Sequence, residues 1–153
     1  MPSTKQTSNL TDHLGYWLRA VSNHVSHAFA RKLADRDTTV AEWVMMRSLY
    51  GKDATAPSRL AESMGMTRGA ITKLADRLIG KSLVVREASP NDARAQTLAL
   101  TARGRNLVPN LAQLADRNDE EFFEHLTQAE RRELERVLRR LVERLAIKSM
   151  PIE

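Results

Sequence analysis

The 153-residue chain contains no cysteine. That excludes a disulfide framework, a thiol nucleophile, a Cys-ligated zinc site and direct thiol redox sensing. No run of residues approaches the roughly 18 consecutive apolar positions of a membrane span. The first nine residues are polar and lack an apolar signal core, so the expected location is the cytoplasm. There is no internal repeat and no low-complexity segment. No Ser-His-Asp order and no paired inner carboxylates suggest catalysis, so no enzyme, no catalytic residue and no cofactor are expected. Gly80-Lys81-Ser82 has the ending of a phosphate-binding loop, but that motif needs Gly at position 75, where this chain has Ala75.

What is present is an ordinary soluble balance, 42% hydrophobic and 28% charged. The length suits one domain able to bury a core without metal or disulfide. The net charge is +5, and its distribution is uneven. Residues 57–105 carry nine basic and four acidic groups, while residues 106–153 carry eight basic and ten acidic ones. A basic middle segment suits an anionic partner such as nucleic acid.

Apolar residues recur at steps of three and four from Leu10 to Leu33, which predicts a helix over 10–33. Thr39 and Glu42 match a capping box opening a second helix. Pro57 suits the first turn of a short third helix ending near Met64. Thr67 caps a fourth, from about Arg68 to Gly80. The period then changes, and Leu83–Arg86 and Gln96–Leu100 read as two strands joined by the loop Ser89–Ala95. Thr101 caps a fifth helix, with Pro109 as a candidate kink. Thr127 and Glu130 form a second capping box, opening a last helix to about Lys148. The expected fold is mainly α with one small β-hairpin.

Residues 57–78 read PSRLAESMGMTRGAITKLADRL. Ala61 is small where two helices must cross, Gly65 permits a left-handed turn, and Ile71 and Leu74 anchor the second helix on the first. This is helix-turn-helix spacing. The outer face of the second helix then carries Thr67, Arg68, Gly69, Thr72, Lys73 and Arg77. Hydroxyls and cations there can reach base edges and phosphates, and Gly69 permits close approach. An ordinary helical hairpin with a solvated polar face is the blander reading of the same residues.

With the hairpin included, the chain resembles the MarR family of winged helix-turn-helix regulators. Asp92-Ala93-Arg94, then Leu100-Thr101-Ala102-Arg103-Gly104, is similar to the family's wing signature of Asp-x-Arg followed by Leu-Thr-x-x-Gly. One departure is Ser82, which stands where the family has glycine before the first wing strand, with Gly80 two residues earlier. The resemblance implies a homodimeric repressor with interlocking terminal helices, often released by a small aromatic acid or phenol. The expected organisation is a flexible N-terminus over 1–9, a dimerisation helix over 10–36, a winged helix-turn-helix over 37–104 and C-terminal dimerisation helices over 105–153. The expected DNA-binding set adds Ser58, Arg86, Asp92 and Arg94, with the Asp92 carboxylate holding the Arg94 guanidinium ready for a minor groove. The target is a pseudo-palindromic double-stranded operator whose half-sites lie about one helical turn apart.

Trp17, Val21 and His24 on the first helix, with Met46 and Arg47 on the second, would suit a small aromatic carboxylate. Packing at a dimer interface accounts for the same residues equally well. His13, His24 and His27 are read as plain helix histidines, not as a metal site. The rival reading of the whole chain is a protein-interaction adaptor that uses the winged helix without DNA.

Overall fold

The computed structural model describes residues 6–92 and 94–145. A single 3-10 turn, Leu10–Asp12, precedes six helices and one hairpin: α1 (Leu14–Ala34), α2 (Val40–Leu49), α3 (Pro57–Met64), α4 (Arg68–Gly80), β1 (Val84–Ala88), β2 (Gln96–Leu100), α5 (Ala102–Phe123) and α6 (Gln128–Arg144). The mainly helical, single-hairpin reading holds. No described helix is long and apolar enough to cross a membrane. The expected extension of the last helix to Lys148, the first five residues and Ala93 lie outside the described residues.

Local chemistry accounts for the boundaries. Asp12 accepts a hydrogen bond from the Asn9 backbone N–H at 2.8 Å, and extended backbone at His13 separates the short turn from α1. The single helix expected over 10–33 is therefore two pieces. Thr39 and Glu42 exchange reciprocal hydrogen bonds of 3.1 Å at the start of α2, and Thr127 and Glu130 do the same at α6. Pro109 does not end α5, which runs from Ala102 to Phe123 with the proline ring exposed.

The core is aliphatic and lies where the end of α1, α2, α3, α4, the hairpin and α5 meet. Leu33, Met45, Met46, Ile71, Ala75, Leu78 and Leu111 are fully buried in it. β1 and β2 pair antiparallel, with Val84 opposite Leu100 and Ala88 opposite Gln96. Thr55 adds a short third edge, exchanging backbone hydrogen bonds of 2.8 Å with Leu98. Only Val84, Leu98 and Leu100 of the two strands turn inward, so the far end of the hairpin projects from the core.

The exit from α4 is a tight reversal. Ser82 N–H donates to the Ile79 carbonyl and Leu83 N–H to the Leu78 carbonyl, the bonding pattern of a Schellman cap. That cap requires a left-handed residue, and Ser82 supplies it with φ of 60°. The serine thus performs the turn that glycine makes more easily. Directly beyond, Thr101 N–H donates to the Leu83 carbonyl at 3.1 Å, and the Thr101 hydroxyl donates to the Ser82 carbonyl at 2.7 Å. Thr101 Oγ1 also accepts from Gly104 N–H and so caps α5. A β-carbon on Gly104 would lie 2.2 Å from the Leu83 carbonyl oxygen. Glycine is needed there because helix and turn touch backbone to backbone.

Two substitutions should move stability in opposite directions. Gly104→Ala should destabilise by about 2–3 kcal/mol, since backbone must shift to admit the methyl. Ser82→Gly should stabilise by roughly 0.5–1 kcal/mol by removing left-handed strain. Urea denaturation of both variants measures each change, and equal midpoints would refute both assignments.

Candidate nucleic-acid interface

The interface is built on α4. Gly65 closes α3 in the left-handed region, with φ of 64° and ψ of 31°, and Met66 N–H donates back to the Ala61 carbonyl at 2.9 Å. Thr67 Oγ1 then accepts from Ala70 N–H at 3.1 Å and starts α4. Burial of Ile71, Leu74, Ala75 and Leu78 fixes the rotation of the helix. Arg68, Gly69, Thr72 and Lys73 are consequently exposed on the opposite side. Nothing lies within 4 Å of where a β-carbon on Gly69 would stand, so that surface is open to an approaching backbone. Ser58 is exposed at the start of α3, immediately after Pro57.

Several expected contacts are already engaged. Thr67 spends an acceptor on its cap but retains its hydroxyl hydrogen as a donor. Thr72 donates to the Arg68 carbonyl at 3.0 Å. Arg86 on β1 pairs with Asp76 on α4 at 2.9 Å, tying the hairpin to that helix. Arg68, Lys73 and Arg94 take part in no ion pair among the described residues.

Arg77 is exposed, as expected, but its guanidinium is already paired. Its Nη2 donates to Glu42 Oε1 at 3.1 Å and to Thr39 Oγ1 at 3.2 Å. Lys81 Nζ lies 2.9 Å from Glu42 Oε2, on the other carboxylate oxygen. Glu42 is only 1% exposed. Burial disfavours its charge, but the hydrogen bonds from Lys81, Thr39 and Arg77 outweigh that and hold its pKa below the ordinary carboxylate range. Arg77 near the end of α4 and Lys81 directly beyond it are thus committed to one carboxylate on α2. Sequence reading credited Glu42 with its capping role alone. The signal for a second role was an acidic side chain flanked by core positions on a helix that is otherwise nearly all apolar.

The wing also differs in detail. Asp92 Oδ1 accepts from the backbone N–H of Arg94 at 2.9 Å. Ala95 N–H donates to the Asp92 carbonyl, and Ser89 N–H to the Ala95 carbonyl. The carboxylate therefore shapes the loop backbone instead of gripping the guanidinium, because two residues apart in a turn the nearer donor is the main chain.

The five-residue ligand set is not gathered. Met46 is fully buried in the core, so it cannot share an open pocket wall with Trp17, which is half exposed. Trp17 donates its indole N–H to the Thr11 carbonyl and packs edge-on against Tyr16. Val21 and His24 are exposed on α1, and the Arg47 guanidinium lies over the Tyr50 ring at 5.6 Å. Trp43 instead meets Phe29 edge-on at the margin of the core. No three His, Asp or Glu side chains gather in metal-binding proximity among the described residues.

The MarR family model matches residues 38–95, the stretch from the start of α2 to the end of the wing loop. A Thauera aromatica protein named for transcriptional regulation of the hcr operon is 30% identical over 134 residues, covering 87% of this chain and 81% of that one. The chain belongs to the MarR family. It is a winged helix-turn-helix transcriptional regulator, with α4 as recognition helix and the β1–β2 hairpin as wing. A mutant of Escherichia coli MarR complexed with operator DNA superposes with a TM-score of 0.74 at 27% identity, covering 84% of this chain and 93% of that chain. Bordetella bronchiseptica BpsR, described with regulation of its DNA binding by 6-hydroxynicotinic acid, gives a TM-score of 0.76 at 22% identity over 89% and 97% of the two chains. At that identity the likeness is one of fold.

The Glu42 clamp of this MarR-family chain leads to a stability prediction. Removing the buried anion strands two cations, whose outer ends can still reach water, so Glu42→Gln should cost about 2 kcal/mol at neutral pH, less than a fully buried pair would. A folded-state pKa below the unfolded value stabilises the fold above the ordinary carboxylate range. That contribution disappears as pH falls through the folded pKa. Parent and variant should therefore differ at pH 7 and converge as the pH falls through and below the carboxylate range, as read by urea denaturation across pH.

Proposed function

We propose that this MarR-family protein is a homodimeric repressor that binds a pseudo-palindromic double-stranded operator in the cytoplasm. The observation that carries the DNA reading is the division of α4 into a buried apolar face and an exposed face bearing Arg68, Gly69, Thr72 and Lys73. A helix rotated in that way enters a major groove with its cations outward. Arg68, in the first turn, is assigned to a guanine edge and Lys73 to a phosphate. Arg94, on a loop stiffened by Asp92, is assigned to the adjacent minor groove, with Ser58 at the backbone. Arg77 is withdrawn from this set, and Arg86 serves to brace the wing.

Dimerisation is supported by apolar surface left uncovered on one chain. Leu14, Trp17, Leu18 and Val21 on α1 are more than half exposed, and Leu134, Val137, Leu138, Leu141 and Val142 on α6 are each about 40% exposed. An open groove of about 710 Å³ runs along α6, walled by Phe123, Leu134, Leu138 and Val142. Monomers rarely leave so much contiguous apolar surface in water, whereas a second copy of these helices would cover it. Release by a small aromatic ligand is part of the reading. It is supported by the half-exposed Trp17 and by the fold shared with BpsR, and it excludes Met46 as a contact. The function is regulatory rather than enzymatic.

Two experiments test the reading. Arg68→Ala should lose roughly 1–3 kcal/mol of operator affinity and relax base preference at one position per half-site. Lys73→Ala should weaken all sequences alike and lower the salt slope by about one ion. Unchanged preference in the Arg68 variant would remove the base contact, and salt-independent binding would favour the adaptor reading. For assembly, Leu138→Glu places an unpaired charge in the covered face and should shift the protein to monomer by light scattering. A monomeric parent at micromolar concentration would refute the dimer.

A further inference from the structure

A second concave site lies away from the residues assigned to DNA. The α1–α2 turn, the α4–β1 turn and the first three turns of α5 enclose an open cleft of about 600 Å³. Three cations line it, Arg36, Lys81 and Arg103, against one anion, Asp37. Asn106 and Asn110 add amide donors from α5. Arg36 and Arg103 are exposed and take part in no ion pair among the described residues. Two guanidinium groups free to bond in bidentate fashion, with two amide side chains lining the same cleft, match the oxygens of phosphate or carboxylate groups.

The walls are held in place. Lys81 Nζ donates to the Asp37 carbonyl at 2.6 Å while pairing with buried Glu42, so it joins the two turns across the cleft. Asp37 and Ser82, the two non-glycine residues with positive φ among those described, both line it. Thr38, 5% exposed, braces the α1–α2 turn by donating to the Arg36 carbonyl at 3.0 Å. The concavity therefore preexists a ligand, which lowers the ordering cost of binding.

We propose that this cleft binds a small polyvalent anion, a molecule carrying two or more phosphate or carboxylate charges, between Arg36 and Arg103. Two separated guanidinium groups favour a divalent or trivalent ligand over a monoanion. The volume admits one the size of pyrophosphate or citrate, with room for an organic body. The site is separate from Trp17 and the first half of α1. The Gly80–Leu83 wall is the turn that joins recognition helix to wing, so an occupant reaching Lys81 competes with Glu42 for the same ammonium. Occupancy should on that ground weaken operator binding, a consequence that rests on the function proposed above.

The test titrates the full-length protein with pyrophosphate, with citrate and with acetate as the monoanion. Calorimetry and backbone-amide NMR are the readouts, at fixed ionic strength. Saturable binding of pyrophosphate or citrate, with shifts centred on residues 36–38, 80–83 and 103–110, is expected, and which of the two binds tighter separates phosphate from carboxylate ligands. Arg36→Ala with Arg103→Ala should weaken that binding at least tenfold while leaving operator affinity without anion within about twofold, and Arg103→Lys should recover part of it. No saturable binding at millimolar concentration would overturn the proposal. So would shifts centred on Arg68 to Lys73 and the wing, which would mark the anion as a mimic of DNA phosphate and leave the operator reading intact. Failure of the parent to bind any operator, with the cleft shifts present, would remove the regulatory consequence and leave the anion site.

Discussion

The winged module depends on one buried carboxylate. Glu42 sits at the first turn of α2, closes the cap with Thr39, and receives Arg77 and Lys81 from the end of α4. An isolated buried anion would be costly, and two cations with a capping hydroxyl make it favourable to ionise. The consequence is geometric. Apolar packing of Ile71, Leu74 and Leu78 is non-directional, and to it are added the hydrogen bonds from Thr39 and Arg77 to Glu42 Oε1 and the Lys81 ammonium 2.9 Å from Oε2. Burial of Ile71, Leu74 and Leu78 sets which face of α4 looks outward, and the clamp ties the end of that helix to α2.

A second constraint continues from the first. Lys81 is followed directly by Ser82 and Leu83, whose carbonyls receive Thr101. The chain leaves the recognition helix, turns sharply and is bound to the start of α5 before the wing begins. Gly104 permits that contact. Arg86 and Asp76 then tie β1 back to α4. Recognition helix, wing and the long helix α5 are consequently one mechanical unit, and a displacement at the α4–β1 turn reaches all three.

α5 carries the unit outward to the uncovered helices. Asn118, 3% exposed, donates to the Val25 carbonyl and accepts from Lys32, which also pairs with Glu121. A polar contact at an otherwise apolar crossing sets register between α1 and α5, since sliding either helix would leave the amide unsatisfied. The second half of α1 is fixed in this way, while its first half and α6 carry the exposed apolar side chains on which the proposed dimer rests. Assembly, in this reading, acts on the DNA-binding unit through the same α5.

Much of this was legible from residue order. Capping boxes at Thr39 and Thr127, Pro57 at a helix start and Gly65 at a left-handed turn are local signals, and their physics involves neighbours within about four residues, whereas the first strand, expected over Leu83–Arg86, runs Val84–Ala88. The helix-turn-helix and the exposure of Arg68 and Lys73 followed from helical spacing, and the winged form of the module from the resemblance to the MarR family. Other outcomes depend on partners far along the chain. Arg77 had the periodicity of a free surface cation and is bound to a residue 35 positions away. Met46 read as a pocket wall and is fully buried in the core cluster. Asp92 had the spacing to hold the Arg94 side chain, yet the folded turn brings the main-chain N–H closer. Ser82 stood out only as a missing glycine until the turn showed why a left-handed residue is required. The sequence by itself determined the elements and their amphipathic faces, since these arise from local sterics and spacing. Tertiary structure decided which charges remain free, because an ion pair depends on distance in space, which residue order does not state.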